Sequence, residues 1–269
     1  MWGSFEENEP RVILNQPTDS QCAVEFAKQR LQFEPDDRQA EVLRSTAKRG
    51  ILNCSRQWGK STVAAAKAVH RLFTRKGCLV LVASPSERQS AELVRKVAEM
   101  LAKLGIRARG DGDNPISLVL PGGSRIVGLP GRDGTIRGFS NVSLLLIDEA
   151  AQVEDRVYQA LCPMLAVSDG DLWMMSTPYG KRGFFYEGWV HGGPDWMRVH
   201  VPATECPRIG KRFLEDQRRS AGDLWFRQEY MGEFVDNGAA VFGRDLVEAA
   251  LDEEVETLTF SHLVSEPRQ

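Results

Sequence analysis

The sequence lacks the features that would assign it to several large classes of protein. Its five cysteines are odd in number and form no CxxC pair, and its four histidines lack ligand spacing, so neither a disulfide framework nor a zinc site is expected. Basic charge is not in excess either, since 34 Lys and Arg against 37 Asp and Glu give a net charge of −3. A protein that coats nucleic acid by bulk charge is therefore excluded, and any polyanion must meet a local basic patch.

Long hydrophobic runs are also missing. The longest strongly apolar runs, 79–83 and 144–147, are far too short to span a membrane and suit buried strands. The first ten residues are acidic and have neither the basic start nor the apolar run of a secretory signal. We therefore expect a soluble, cytoplasmic protein with no membrane partner.

What the chain does contain is ample apolar sequence for a core, 42% of 269 residues, in short runs that alternate with helical patterns. Buried strands are predicted at 51–53, 78–83, 142–147 and 172–176, helices at 61–74, 87–104 and 154–161, and a hairpin at 116–120 and 124–129 around Pro-Gly-Gly. Strands that alternate with helices favour right-handed βαβ units. The prediction is an α/β fold with a mainly parallel sheet between helices.

The two ends of the chain differ from this alternating centre. Residues 1–20 predict a loose arm, helical spacing begins near Gln21, and a second helix is expected between Pro35 and Gly50. Beyond residue 200, prolines and glycines interrupt the pattern before two helices at 211–219 and 222–231 and a last strand at 232–236. These shifts predict four parts: an N-terminal arm and helix (1–32), a core (33–206), a helical lid and linker (207–256) and a tail (257–269).

The most informative segment is 54–62, CSRQWGKST, which connects a predicted strand to a predicted helix. This context suits a P-loop, in which backbone N–H groups and a helix N-terminus converge on phosphate oxygens. Lys60 would reach the β- and γ-phosphates of a nucleotide, and Ser61 would bind Mg²⁺. Cys54 stands where the consensus has its first glycine, and Arg56 adds a second cation. The alternative is an ordinary strand–turn–helix with a surface lysine.

A second acidic motif, LLLIDEA at 144–150, points to hydrolysis of the nucleotide. Its aliphatic residues form a buried strand that carries two carboxylates out at its carboxyl end, where open α/β sheets bind ligands. Asp148 would hold Mg²⁺ through water, and Glu149 would act as the general base for the attacking water. The alternative is a strand that merely ends in acidic residues. With the P-loop, the motif predicts an ATPase that requires Mg²⁺.

Five segments carry a resemblance to a known family. They are FEPDDRQ at 33–39, SRQWGKST at 55–62, SPSERQS at 84–90, TIRGFS at 135–140 and MMSTPYGKRGFFYEGW at 174–189. Together they resemble the ATPase half of the large terminase subunit of tailed bacteriophages, from about Phe33 to Asp236. The resemblance implies a RecA-like P-loop NTPase of the additional-strand, catalytic-glutamate type with a small helical lid subdomain. This family's P-loop departs from the consensus, since it carries an arginine where other families have small residues. The departure at Cys54 is therefore compatible with the resemblance.

The resemblance also implies a set of site residues. Nucleotide binding would involve Phe33, Gln39, Ser55, Arg56, Gln57, Trp58, Gly59, Lys60, Ser61 and Thr62. Catalysis would involve Glu149, Lys60, Arg56 and Arg137, metal binding Ser61 and Asp148, and coupling to movement Ser176, Thr177 and Pro178.

Three of these roles have an alternative. The amide of Gln39 suits both edges of adenine, but a glutamine on a helix surface is equally compatible with the pattern. Arg137 is a candidate finger for the ATP of a neighbouring subunit, or else an arginine that contacts phosphate or DNA. Ser176-Thr177-Pro178 suits a sensor of the γ-phosphate or a plain turn.

The function implied is an ATP-driven translocase of double-stranded DNA that packages a phage or prophage genome into a procapsid. Its partners would be DNA, a homo-oligomeric ring, the portal protein and the small terminase subunit, in the host cytoplasm and at the procapsid portal. DNA contacts are expected at the basic clusters 181–182, 208–212 and 218–219. Nothing after Asp236 resembles an RNase H-like metal site, so nuclease activity is not expected of this chain. The alternatives are a superfamily 2-like DNA-dependent ATPase or helicase fragment and a non-catalytic prophage remnant.

Overall fold

The computed structural model describes residues 22–129 and 138–236, and in them a seven-stranded sheet lies between helices. The strands are Arg49–Cys54 (β1), Leu79–Ala83 (β2), Ser117–Val119 (β3), Arg125–Leu129 (β4), Val142–Asp148 (β5), Asp171–Ser176 (β6) and Trp196–Val201 (β7). The α-helices are Ala23–Leu31 (α1), Asp37–Arg44 (α2), Lys60–Thr74 (α3), Glu87–Lys103 (α4), Asp155–Leu161 (α5), Gly183–His191 (α6), Lys211–Ala221 (α7) and Asp223–Glu229 (α8).

The strand order places the two motif-bearing strands close to each other. The order is β3-β4-β2-β5-β6-β1-β7, in which every neighbouring pair is parallel except the antiparallel pair β3–β4. Strand β6 lies between β1, which leads into the P-loop segment, and β5, which carries Asp148. This inserted strand is the additional strand of the predicted fold class. Because β1, β5 and β6 are parallel, their carboxyl ends meet at one edge of the sheet.

The core lies on both faces of the sheet because alternate residues of each strand point to opposite faces. In β5, Leu144 and Leu146 pack on the face covered by α1 to α4, whereas Leu145 and Ile147 pack on the face covered by α5 and α6. All seven residues of β5 are buried. The continuous apolar run therefore reflects a strand covered on both faces, as the sequence predicts.

The alternating centre of the chain was predicted well, and so were the two helices after residue 200, which were predicted at 211–219 and 222–231 and are found as α7 and α8. Strands β1, β2, β5 and β6, helices α3 to α5 and the β3–β4 hairpin all lie where they were expected. The prediction for Gly50 was wrong: α2 ends at Arg44, and Gly50 lies inside β1. A side chain at Gly50 would collide with the indole of Trp173, which is the packing reason for this glycine.

Two elements were missed, and one predicted strand is not there. Helix α6 overlaps the end of the last motif and strand β7 follows it, in a stretch where glycines and aromatic residues obscure both periodicities. The residues 232–236 were predicted as a strand but form no ladder in the structure. Instead, Phe234 packs against Phe185, Tyr186 and Trp189 of α6.

Helices α7 and α8 form a separate small layer after β7. Leu214, Phe226 and Tyr230 pack there with Ala203 in a cluster distinct from the two faces of the sheet. The four-part division of the chain stays a prediction, because the arm before residue 22 and everything after Asp236 lie outside the described residues. No described helix is long and apolar enough to cross a membrane.

Candidate active site

The P-loop segment is the turn between β1 and α3. Gly59 precedes α3 with φ +99°, a conformation that favours glycine, and its carbonyl accepts the first helical hydrogen bonds, from Thr62 and Val63. The Lys60 ammonium donates to the carbonyls of Cys54 at 2.8 Å and Ser55 at 3.3 Å. The loop therefore wraps around the lysine, and the amino end of α3 opens onto the site, where its partial positive charge favours anions.

The cysteine in place of the first consensus glycine has a structural explanation. Cys54 is the last residue of β1, it is fully buried, and its φ is not positive, so this position does not need the freedom of glycine. Its thiol lies 3.8 Å from the carbonyl of Val199 on β7. Burial raises the pKa of the thiol to about 12, so Cys54 stays protonated and acts as a packing residue.

Asp148 and Ser61 meet at the predicted metal position. The hydroxyl of Ser61 donates to Oδ2 of Asp148 at 3.1 Å, although the residues come from α3 and β5. Burial, together with the neighbouring Glu149, raises the pKa of Asp148 to about 6, against the opposing effects of Lys60 and Ser61. A cation would relieve this cost because it favours the carboxylate.

The donor set fits Mg²⁺. A hydroxyl and a carboxylate are the hard oxygen ligands that this ion prefers, and Mg²⁺ usually takes its remaining ligands from water and phosphates. In residues 22–129 and 138–236, no group of three or more His, Cys, Asp or Glu could hold a metal ion.

Glu149 lies directly beyond the strand, in a left-handed backbone conformation with φ +49°. Its backbone N–H donates to Oδ1 of Asp148 at 3.1 Å, and its Oε2 accepts a hydrogen bond from the hydroxyl of Ser176 at 3.4 Å. The side chain lines the same cavity as the P-loop residues. Its turn therefore aims a carboxylate at the space beside Lys60, where a water could lie.

A cavity of about 710 Å³ brings most of the predicted site residues together. Its lining includes Phe33, Gln39, Arg56, Gln57, Trp58, Gly59, Lys60, Ser61, Thr62 and Glu149. Ser55 is buried beneath it, and Asp148 lies behind Ser61. Arg137 lies outside the described residues.

Gln39 lies at the cavity but uses its amide within the protein. Its Oε1 accepts from the backbone N–H of Asp36 at 3.1 Å, and the side chain of Asp36 accepts from the N–H of Gln39, so the pair caps α2. Its Nε2 donates to the carbonyl of Trp58 at 2.9 Å. One amide N–H and the second lone pair of Oε1 are left for a ligand, so a role in binding a base stays a prediction. Gln39 also ties α2 to the P-loop.

Arg56 connects the P-loop to the helical layer. Its Nε donates to Oε2 of Glu229 on α8 at 2.7 Å, and this hydrogen bond raises the pKa of the guanidinium. Glu229 is buried whereas Arg56 is 61% exposed, so the acid depends on the arginine more than the reverse. No sequence pattern indicated this pair, since 173 residues separate the partners.

The predicted coupling segment lies at the carboxyl end of β6. Ser176 and Thr177 are both buried, and Ser176 contacts Glu149 through its hydroxyl. These contacts place the segment beside the carboxylate of Glu149, but neither residue lines the cavity.

Several residues of the basic clusters predicted to contact DNA pair with acidic residues of the same chain. Lys181 pairs with Asp236 at 3.5 Å, Arg218 with Asp223 at 3.6 Å, and Arg219 with Asp216. Arg208 turns instead to the P-loop, where it contacts the carbonyls of Gln57 and Trp58. Gln89, Lys96, Gln152 and Arg208 also line the cavity. Gln89 lies in the segment 84–90 and Arg208 in a predicted DNA-contacting cluster, but neither was expected at the cavity, and no motif marks Lys96 or Gln152.

The fold and site define the class of RecA-like P-loop domains with an acidic pair beside the phosphate loop. The sequence matches the family described as "Terminase large subunit, T4likevirus-type, N-terminal" over residues 51–249, most of its length. The chain therefore belongs to this family of large terminase subunits, as the sequence motifs predicted.

Individual relatives agree with this assignment. The large terminase subunit of Thermus virus P23-45 is 29% identical over 256 residues, which cover 81% of this chain and 52% of that protein. The subunit of Escherichia phage T5 is 25% identical over 188 residues, covering 67% of this chain and 42% of its own. The chain thus spans about half the length of the curated relatives it matches.

Solved structures match the fold as well. The Thermus phage P74-26 large terminase ATPase domain superposes with a TM-score of 0.71 at 28% identity, covering 82% of this chain and 99% of that one. The large terminase of the thermophilic bacteriophage D6E has a TM-score of 0.65 at 17% identity, covering 78% and 56%, and supports the fold alone.

Proposed function

We propose that this chain is an ATP-hydrolysing motor unit that drives double-stranded DNA into a phage procapsid. The observation that carries the proposal is the meeting of three elements at one cavity: Lys60 of the P-loop, the Ser61–Asp148 contact and the carboxylate of Glu149. Family membership supports it, because the matched relatives are large terminase subunits. The D6E terminase, a relative in fold, is described in complexes with ADP and with ATP-gamma-S.

In this proposal each residue has one task. Lys60 leaves its carbonyl partners for the β- and γ-phosphates, and Ser61 and Asp148 hold Mg²⁺, which when bound neutralises phosphate charge. Glu149 accepts the proton of the attacking water through one carboxylate oxygen. The hydroxyl of Ser176 donates a hydrogen bond to its other oxygen, Oε2. Arg56 lines the cavity and would stabilise charge on the transferring phosphoryl group, and Arg137 would be supplied by a neighbouring subunit.

The larger assembly belongs to the same proposal. A homo-oligomeric ring lets Arg137 act between subunits, and the portal protein and small terminase subunit would join it in the host cytoplasm at the procapsid. The core at 33–206 would hydrolyse ATP and the segment at 207–256 would act as the lid and linker. Thr177 and Pro178 follow Ser176, so loss of the γ-phosphate could be passed along this segment to the helical layer.

A steady-state ATPase assay with and without linear double-stranded DNA tests the proposal. We expect phosphate release that depends on Mg²⁺ and rises with DNA. Hydrolysis without any response to DNA would contradict translocation while keeping the ATPase. No hydrolysis under any condition, with nucleotide still bound, would favour a non-catalytic binding module.

Mixing variants tests the Arg137 role. Arg137→Ala and Lys60→Ala should each be inactive, but in a mixed ring the intact arginine of the second would serve the intact site of the first. Activity should therefore return in mixtures. No recovery at any mixing ratio would contradict a role between subunits.

A further inference from the structure

Arg208 is the one member of the predicted DNA-contacting clusters that faces the nucleotide cavity. It lies between the 3-10 helix Ala203–Glu205 and α7, in a segment held against the core by buried Cys206. Its Nη2 donates to the carbonyl of Trp58, and its Nε lies 3.4 Å from the carbonyl of Gln57. Two consecutive P-loop carbonyls thus fix the guanidinium.

The contacts of Arg208 place it beside Gln39. Both side chains donate to the same acceptor, the carbonyl of Trp58. A Cβ added to Gly59 would lie 3.0 Å from Nε2 of Gln39 and 3.8 Å from Nη2 of Arg208, so both reach over the start of α3. Oδ2 of Asp36, which has no hydrogen-bond partner in the described structure, lies 3.8 Å from the guanidinium.

The free surface of Arg208 is the face of its guanidinium. A guanidinium donates hydrogen bonds in its plane, and the donors to Gln57 and Trp58 use that edge. Its flat face is left for stacking, and the side chain is 53% exposed. A planar cation fixed at its edge is a platform for an aromatic ring. Phe33, Gln39 and Arg208 share the cavity, so an aromatic ligand group at that end would meet all three.

We propose that Arg208 binds the purine base of the nucleotide by stacking its guanidinium on the ring. This inference rests on the proposed function, since it takes the phosphates to lie at Lys60 and Ser61 and the base to extend toward Phe33 and Gln39. Arg208 also lies three residues before Lys211, where α7 begins, so an occupied base subsite holds the start of the helical layer against the P-loop.

Binding of two probes separates the base from the phosphates. Affinities for Mg-ADP and for Mg-tripolyphosphate are measured by calorimetry with the wild type, Arg208→Ala, Arg208→Lys and the control Arg212→Ala, an exposed arginine of the same cluster. Arg208→Ala should weaken ADP binding by about 3- to 30-fold and leave tripolyphosphate binding unchanged. Arg208→Lys should resemble Arg208→Ala because lysine lacks the planar face. Arg212→Ala should bind both probes like the wild type.

Each other outcome contradicts the inference. Unchanged ADP binding in Arg208→Ala would show that the side chain does not touch the nucleotide. An equal loss for both probes would show that it only shapes the P-loop, and full recovery with lysine would reduce its role to charge. A wild type that binds neither probe would instead refute nucleotide binding as such, which keeps the failure of the proposed function distinct from that of this inference.

Discussion

The two ends of helix α3 both attract basic side chains, but only the amino end is the proposed phosphate site. At the amino end, the large cavity is lined by four cations and one acid: Arg56, Lys60, Lys96, Arg208 and Glu149. At the carboxyl end, a cleft of about 400 Å³ is lined by five cations and one acid: Arg44, Lys48, Lys67, Arg71, Arg75 and Asp171. Counting charge alone would favour the second cleft.

The difference lies in what each helix end offers. The amino end of α3 presents free N–H groups to the cavity, whereas α2 and α3 both end at the second cleft and present carbonyls. Lys67 donates to the carbonyls of Val42 and Ser45 at 3.3 and 3.2 Å, and Arg71 pairs with Asp171 and binds the carbonyl of Ser143. These two cations therefore bind carbonyl and carboxylate groups of the protein itself. Helix direction, and not charge density, therefore selects the phosphate site.

Exchanging one lysine at each end gives the largest expected difference. Lys60→Met should weaken Mg-ATP binding by roughly 10- to 100-fold, because it removes charged hydrogen bonds to the phosphates. Lys67→Met lies on the same helix and should bind Mg-ATP like the wild type. Calorimetry on both variants measures this. An equal loss in the two variants would show that the ends are not functionally distinct.

The pair Arg56–Glu229 tests whether the amino end of α3 also depends on the helical layer for its stability. Arg56→Ala should lower the free energy of unfolding by about 1 to 2 kcal/mol, since it leaves Glu229 buried without its cation. The figure is below that of a fully buried pair because Arg56 is largely exposed. The double variant Arg56→Ala/Glu229→Gln should regain most of the stability but not the ATPase rate. Urea denaturation and phosphate release check both, and a double variant no more stable than the single one would contradict the dependence of Glu229 on Arg56.

Lys67 makes the carboxyl end sensitive to pH. Desolvation is the main cause that lowers its pKa to about 8 from 10.5, opposed by Asp171 and assisted by Arg71. Between pH 8 and 10.5 the unfolded chain therefore holds a proton that the folded chain has lost, so stability rises with pH. We expect the wild type to gain about 2 kcal/mol relative to Lys67→Met from pH 7.5 to 10. Urea denaturation across this range measures it, and parallel profiles would refute the shift.

Sequence reasoning reached the parts of the site in which a local pattern carries the chemistry. Gly59, Lys60 and Ser61 come from one turn, and Asp148 and Glu149 end one apolar strand, so a short motif predicts their placement at the sheet edge. The β6 insertion followed from the family resemblance and is present.

What the sequence did not reveal depends on contacts between distant segments. Arg208 and Trp58 are 150 residues apart, and Arg56 and Glu229 are 173 apart, so no spacing rule connects them. The base-binding role of Gln39 stays a prediction, and what the sequence did not reveal is that its amide also caps α2 and donates to the carbonyl of Trp58. Strand β7 was missed because its partly exposed residues show neither a buried run nor clean alternation.

We propose that the amino end of α3 is a hydrolytic site in which Glu149 activates water. The most direct test measures Mg-ATP binding and steady-state phosphate release by the wild type and Glu149→Gln. We expect Glu149→Gln to bind Mg-ATP nearly as the wild type does. Its turnover should be lower by about 10²- to 10⁴-fold, because the amide cannot take the proton of the attacking water. Hydrolysis by Glu149→Gln at the wild-type rate would contradict it.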